Sequence, residues 1–181
     1  MERNLALIAL FAALIAALGL IPKFTLAFGV PITAQSLGIM LCGTVLGSKR
    51  GALAVLLFLL LVALGLPLLA GGRGGLGLFV SPSAGFLLGW PVAAFVTGLV
   101  VENWRAAPLT LVAGVGSIIG GIIVLYVFGI VGLAITLDKS LVEASLLVTA
   151  FLPGDAIKAV LAGFVTAALA KARPQSVLSR A

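Results

Sequence analysis

Near the end of this 181-residue chain an aspartate and a lysine stand three residues apart inside an apolar run, Phe151-Leu152-Pro153-Gly154-Asp155-Ala156-Ile157-Lys158. Residues i and i+3 share a helical face, so the carboxylate and the ammonium can pair. An ionisable side chain inside a membrane helix costs at least about 2.5–3.5 kcal/mol on insertion scales, and normally faces a partner or a cavity. Pro153-Gly154, just before the pair, can break or kink the helix and free backbone groups for a polar cavity to satisfy. Two readings stand side by side. The pair is an acceptor and a donor lining a ligand cavity, or a self-neutralising structural pair near the outer interface with Lys158 snorkelling.

A second stretch with binding chemistry is Gly71-Gly72-Arg73-Gly74-Gly75-Leu76-Gly77, five glycines in seven residues. Such a backbone can approach a ligand closely and offer its N–H groups, and the Arg73 guanidinium can meet a carboxylate. A plain flexible turn is the alternative. Residues 72–77 formally match G-x-G-x-x-G, but that fingerprint needs a βαβ setting, and here it joins two apolar runs. With no histidine and one cysteine, Cys42, imidazole bases, His metal ligands and disulfides within the chain are excluded. The phosphate-binding, G-x-S-x-G and H-E-x-x-H motifs are also missing. These residue types suit binding better than bond-making: no enzyme, no cofactor and no metal is expected.

The elements that must position these groups are membrane helices. Hydrophobic residues make up 62% of the chain and charged residues 9%, with a mean hydropathy of +1.35. A soluble domain carries about 25% charged residues, so a soluble enzyme is excluded. A spanning helix takes about 20 apolar residues. Apolar runs between turn signals predict six spans, at about 5–21, 32–47, 51–69, 83–101, 108–132 and 145–170. The first resembles a signal peptide but lacks a cleavage site, and is read as a retained helix. The fold class is an all-α integral membrane protein, with residues 1–181 forming one six-helix domain.

Lysine and arginine set the orientation. With the N-terminus inside, the inner connections hold Arg3, Lys49, Arg50, Arg105, Lys171, Arg173 and Arg180, and the outer ones hold Lys23, Arg73 and Lys139. Both termini are therefore expected in the cytoplasm. The +6 net charge is spread over span ends and forms no patch, so it reads as topology and not as a nucleic-acid surface. The longer connections, about Ala70–Pro82 and Asp138–Ala144, are both expected outside. None has room for an attached ATPase.

Small residues recur every four positions: Gly43, Gly47 and Gly51; Gly85 and Gly89; Gly116 and Gly120; and Ala9, Ala13 and Ala17 beside Ala12 and Ala16. This spacing lets helices approach closely in lipid. On the first span, the alanine ridge can equally be a docking surface for another membrane subunit.

Three stretches resemble the BioY family, the biotin-capture S components of energy-coupling-factor (ECF) transporters. Val30-Pro31-Ile32-Thr33-Ala34-Gln35-Ser36-Leu37-Gly38, followed by Leu46-Gly47-Ser48-Lys49-Arg50-Gly51, is similar to the family's VPITxQxLG…LGxKxG. Residues Gly74–Gly77 and Ser81–Gly89 are similar to GGxGGLG…GPTGGYLxG, and Leu152–Lys158 supplies the third stretch. In one place the chain departs from the pattern: Ser83 keeps a hydroxyl where the family has Thr, and Phe86 replaces a Tyr and loses its phenol.

The resemblance implies the S-component fold and biotin as ligand, bound in an outward-facing cavity capped by the first and third connections. It puts Asp155 and Lys158 on the ligand, where a carboxylate can accept from ureido N–H groups and an ammonium can donate to the ureido oxygen. Thr33, Gln35, Ser83 and Phe86 are the matching candidates in the other stretches, and Arg73, Gly74 and Gly75 are candidates for the ligand carboxylate. Ala9, Ala13 and Ala17 resemble the A-x-x-x-A surface that docks on the shared transmembrane T component, which works with ATPase subunits. The implied location is the bacterial inner membrane, multi-pass and surrounded by lipid, with self-association left open. Two alternatives stay open: an S component for another vitamin, and an ion-coupled secondary transporter titrating Asp155.

Overall fold

A computed structural model describes residues 2–180. Helices are α1 (Glu2–Leu18), α2 (Gln35–Leu46), α3 (Ser48–Ala63), α4 (Ala84–Asn103), α5 (Leu109–Ile118), α6 (Leu125–Thr136), α7 (Leu141–Val148) and α8 (Leu152–Ala172). A π-helical turn, Ile119–Val124, joins α5 to α6, and a 3-10 turn, Thr149–Phe151, joins α7 to α8. The eight helices therefore make six passes, as the apolar runs predict. Three passes, Ala84–Asn103, Leu109–Thr136 and Leu141–Ala172, are long and apolar enough to cross a membrane, and α2 is a shorter apolar helix. The end carrying the connections after α1, α3 and α6 is called outer below, following the charge pattern.

The boundaries correct the sequence reading in four places. Ile32, expected in the second span, pairs instead with Phe24 in a short hairpin, β1 (Phe24–Thr25) and β2 (Pro31–Ile32). Helix α2 starts only at Gln35, whose N–H donates to Thr33 Oγ1 at 3.2 Å. The third span stops at Ala63, well short of 69, because Gly65 turns the chain at φ +100° and Pro67 follows. Between α2 and α3 the connection is Gly47 alone (φ +85°), so Lys49 and Arg50 lie on the first turn of α3. Leu141–Ala144, placed in an outer loop, begins α7 behind a capping box of Ser140 and Glu143.

Helix α4 is central and packs against α2, α3, α5 and α6, while α8 packs against α5 and α2. The small-residue stripes are where these helices meet. A Cβ on Gly43 would lie 2.5 Å from the Ala94 carbonyl oxygen, and one on Gly132 would lie 2.5 Å from Gly85 Cα. In lipid the helices gain no hydrophobic drive toward each other, so this close approach supplies the cohesion. Helix α1 packs on α2 and α3 through Phe11, Ala12 and Ile15, which leaves Ala9, Ala13 and Ala17 exposed on its far side.

At the inner end the Glu102 carboxylate accepts from Ser48 N–H at 2.8 Å and Ser48 Oγ at 2.7 Å, bridging α4 to the start of α3. Residues 177–179 fold back and are buried, and Ser179 Oγ donates to the Thr44 carbonyl at 2.5 Å.

Candidate functional site

The sixth pass is interrupted just ahead of its charges. Pro153 has no N–H to give the preceding turn and is favoured in the first turn of a helix. The irregular turn falls at Thr149–Phe151, and α8 restarts at Leu152 with Asp155 in its first turn. A carboxylate there is favoured by the helix dipole.

Asp155 and Lys158 pair at 2.9 Å, with side chains 7% and 14% exposed. Two further groups from other passes join them. Ser36 Oγ, on α2, donates to Asp155 Oδ1 at 3.1 Å and accepts from Lys158 Nζ at 2.9 Å. The Tyr126 hydroxyl, on α6, donates to Asp155 Oδ2 at 3.0 Å. Neither Ser36 nor Tyr126 is among the sequence candidates. Ser36 lies inside the quoted stretch after Gln35, and Tyr126 is the chain's one tyrosine; these are the signals that were there to use.

The pair faces an open-mouthed cavity. Its polar wall carries Thr33, Ser36, Arg73 and Ser83 besides Asp155 and Lys158, and its apolar wall is dominated by Phe86, Trp90 and Phe151. Phe86 and Phe151 pack with ring centroids 5.4 Å apart. Phe86, without a phenol, serves as an apolar wall. This mix of apolar lining and a few convergent polar groups is that of a small-molecule site.

Gln35 reaches the same wall but is 1% exposed and spends its amide on backbone. Its Nε2 donates to the Ile15 and Leu68 carbonyls, both at 3.1 Å, and its Oε1 accepts from Ala70 N–H at 3.0 Å. It ties α1, α2 and the connection after α3 together.

Arg73 is held over the cavity by a tight turn. Leu69 and Arg73 exchange two backbone hydrogen bonds, at 3.0 and 3.1 Å. Gly71 and Gly72 between them adopt φ of +80° and +69°, which favours glycine. Arg73 Nε donates to the Ala70 carbonyl at 3.3 Å. Partial burial lowers the guanidinium pKa from its ordinary value.

Gly74 and Gly75, expected as ligand contacts, are not in the cavity wall. Gly74 presses on the backbone of Gly65 and Leu66, and Gly75 N–H donates to the Val62 carbonyl at 2.8 Å. These two anchor the connection to the end of α3. Residues Leu76–Val80 then form a 3-10 helix, in keeping with rejection of the dinucleotide fingerprint.

The BioY family profile matches residues 2–175. A curated relative from Rhodobacter capsulatus, named biotin transporter BioY, is 56% identical over 189 residues, covering 99% of this chain and 100% of the relative. The chain belongs to the BioY family. A relative of the same name from Rhizobium etli is 54% identical over 169 residues, covering 90% of each chain. Among solved structures, the S-component for biotin from an ECF-type ABC transporter superposes with a TM-score of 0.88. That match has 31% identity and covers 94% of this BioY-family chain and 92% of the other. The family and S-component fold expected from the motifs are borne out.

Proposed function

We propose that this BioY-family chain captures biotin from the outer side of a bacterial inner membrane and delivers it inward as the S component of an ECF transporter. The observation that carries the reading is the hydrogen-bond inventory of the Asp155–Lys158 pair. A carboxylate offers about four acceptor positions. Ser36, Lys158 and Tyr126 fill three. An ammonium has three hydrogens; Ser36 and Asp155 take two. One acceptor position, on Oδ2, and one N–H therefore remain on two residues that both line the cavity, for a ligand edge that offers one N–H beside one carbonyl oxygen. A cyclic urea presents that edge.

In this reading the apolar wall of Phe86, Trp90 and Phe151 takes the thioether ring and valerate chain, and Arg73 takes the carboxylate. Ser83 and Thr33 supply hydroxyls at the rim. Nothing in the scheme makes or breaks a bond, so no cofactor is called for. Binding alone cannot concentrate a ligand; the energy comes from ATPase subunits acting through a T component. The exposed ridge Ala9, Ala13 and Ala17 supports docking on that partner, since among the described residues no other helix covers it.

The test is calorimetric titration of the detergent-solubilised protein with biotin. Saturable 1:1 binding supports the reading. Tight binding of thiamine or riboflavin without biotin overturns it in favour of another S component. Uptake that follows a proton gradient and ignores ATP overturns it in favour of an ion-coupled carrier.

A further inference from the structure

A carboxylate that presents its one vacant acceptor position to a cavity has to be stopped from rotating. Lys158 and Ser36 both act on Oδ1. Neither touches Oδ2, so from their side that oxygen is held only indirectly, through the carboxylate's own rigid plane. The group that engages Oδ2 is Tyr126, at 3.0 Å, and Tyr126 is not part of the cavity wall, whereas its neighbour Leu125 is. The phenol therefore reaches Asp155 from α6 while remaining outside the lining.

The fifth pass is built to bring it there. The π-helical turn at Ile119–Val124 passes directly into α6 at Leu125, and a π turn inserts about one residue of register into a helix. At 3.6 residues per turn, one residue is about 100° of rotation. An uninterrupted α-helix from Leu109 would turn the phenol by that angle away from α8. The π turn coincides with Gly120 and Gly121, which press on Ala93 and Thr97 of α4 and on Met40 of α2. The register change is thus locked by packing on both neighbours.

We infer that Tyr126 is a positioning residue for ligand binding: from outside the cavity, its hydroxyl fixes the Asp155 carboxylate so that the vacant acceptor position points at the ligand. This rests on the biotin reading above. Tyr126 contributes to affinity only through Asp155, and the two residues behave as one unit in a thermodynamic cycle.

The experiment measures biotin affinity by calorimetry for wild type, Tyr126→Phe, Asp155→Asn and the double variant. Tyr126→Phe is expected to weaken binding about tenfold, the size of one hydrogen bond to a charged group. In the Asp155→Asn background the same change is expected to have no effect. A second measurement avoids any loss of fold. Because the chain has one tyrosine, growth on 3-fluorotyrosine places a single fluorine label at position 126. Its NMR resonance should move when biotin is added to wild-type protein, and move by much less in Asp155→Asn at saturating biotin.

Additive losses in the cycle, or a resonance that responds to biotin equally in both proteins, overturn the inference. So does wild-type protein that binds biotin while Tyr126→Phe is silent, and in that case the biotin reading survives. Wild-type protein that fails to bind biotin overturns both.

Discussion

Replacing Asp155 by Asn changes one atom's identity and removes one charge, which makes it the sharpest perturbation of the site. The amide oxygen can still accept from Lys158 and Ser36, now at 2.9 and 3.1 Å. The amide NH2 would stand against the Tyr126 hydroxyl, which can turn from donor to acceptor. The cavity shape is therefore retained. What is lost is the charged acceptor proposed for the ligand N–H, and the counterion of an ammonium whose side chain is 14% exposed. Hydrogen bonds to charged groups contribute about 1.5–3 kcal/mol, so biotin should bind about 10- to 150-fold more weakly. Calorimetry of the purified variant reads this directly, with the ligand-free melting temperature as the check on folding. An Asp155→Asn protein that is folded and binds biotin as tightly as wild type would refute the assignment of the pair to the ligand and restore the self-neutralising structural reading.

Three further outcomes follow from other parts of the molecule. Arg73→Ala should weaken biotin binding at least several-fold but leave the primary amide of biotin nearly unaffected if, as proposed, the guanidinium serves the ligand carboxylate; equal losses for both ligands would count against that role. Gly43→Leu puts a side chain where a Cβ already lies 2.5 Å from the Ala94 carbonyl oxygen and 2.7 Å from Thr97 Cβ. Overpacking of this kind costs about 1–3 kcal/mol or more, and the melting temperature should fall, whereas Ala9→Leu on the exposed face of α1 should leave both melting and biotin affinity unchanged. Gln35→Glu removes two donors and sets a carboxylate against the Ile15 and Leu68 carbonyls; stopped-flow measurements should show biotin leaving at least tenfold faster as the connection after α3 loosens.

The six passes were legible because apolar runs and turn residues are local signals. Their limits were less so, for reasons that are not local. Ile32 looks helical by hydropathy and is extended because Phe24 is there to pair with it. The charged pair stood out because both members lie on one helix, three residues apart, in a medium that penalises charge. The groups that complete it do not stand out. Ser36 is 119 positions from Asp155 and Tyr126 is 29 away, and no pattern within a span reveals how one span is rotated against another. The π turn that aims Tyr126 is equally silent in a run reading Ile-Gly-Gly-Ile-Ile-Val. Gly74 and Gly75 lie outside the cavity wall, on backbone contacts of their own. A glycine needed for its own backbone contacts looks the same in sequence as one that admits a ligand.

Gln35 shows how the two ends of the proposed mechanism are mechanically joined. Its one side chain holds the Ile15 carbonyl near the outer end of α1, and the Leu68 carbonyl and Ala70 N–H in the connection that carries Arg73. Ala17, the last member of the exposed alanine ridge, lies two residues beyond Ile15 on the same helix. A shift of the Arg73 connection away from the cavity must either break the Gln35 bonds or carry the outer turn of α1 with it. Breaking them leaves buried polar groups unpaired, at a cost of about 1–3 kcal/mol each. Moving α1 instead displaces the exposed alanine ridge proposed above as a docking surface. In the proposed function, opening over the ligand and the exposed alanine ridge would therefore be coupled through the Gln35 amide.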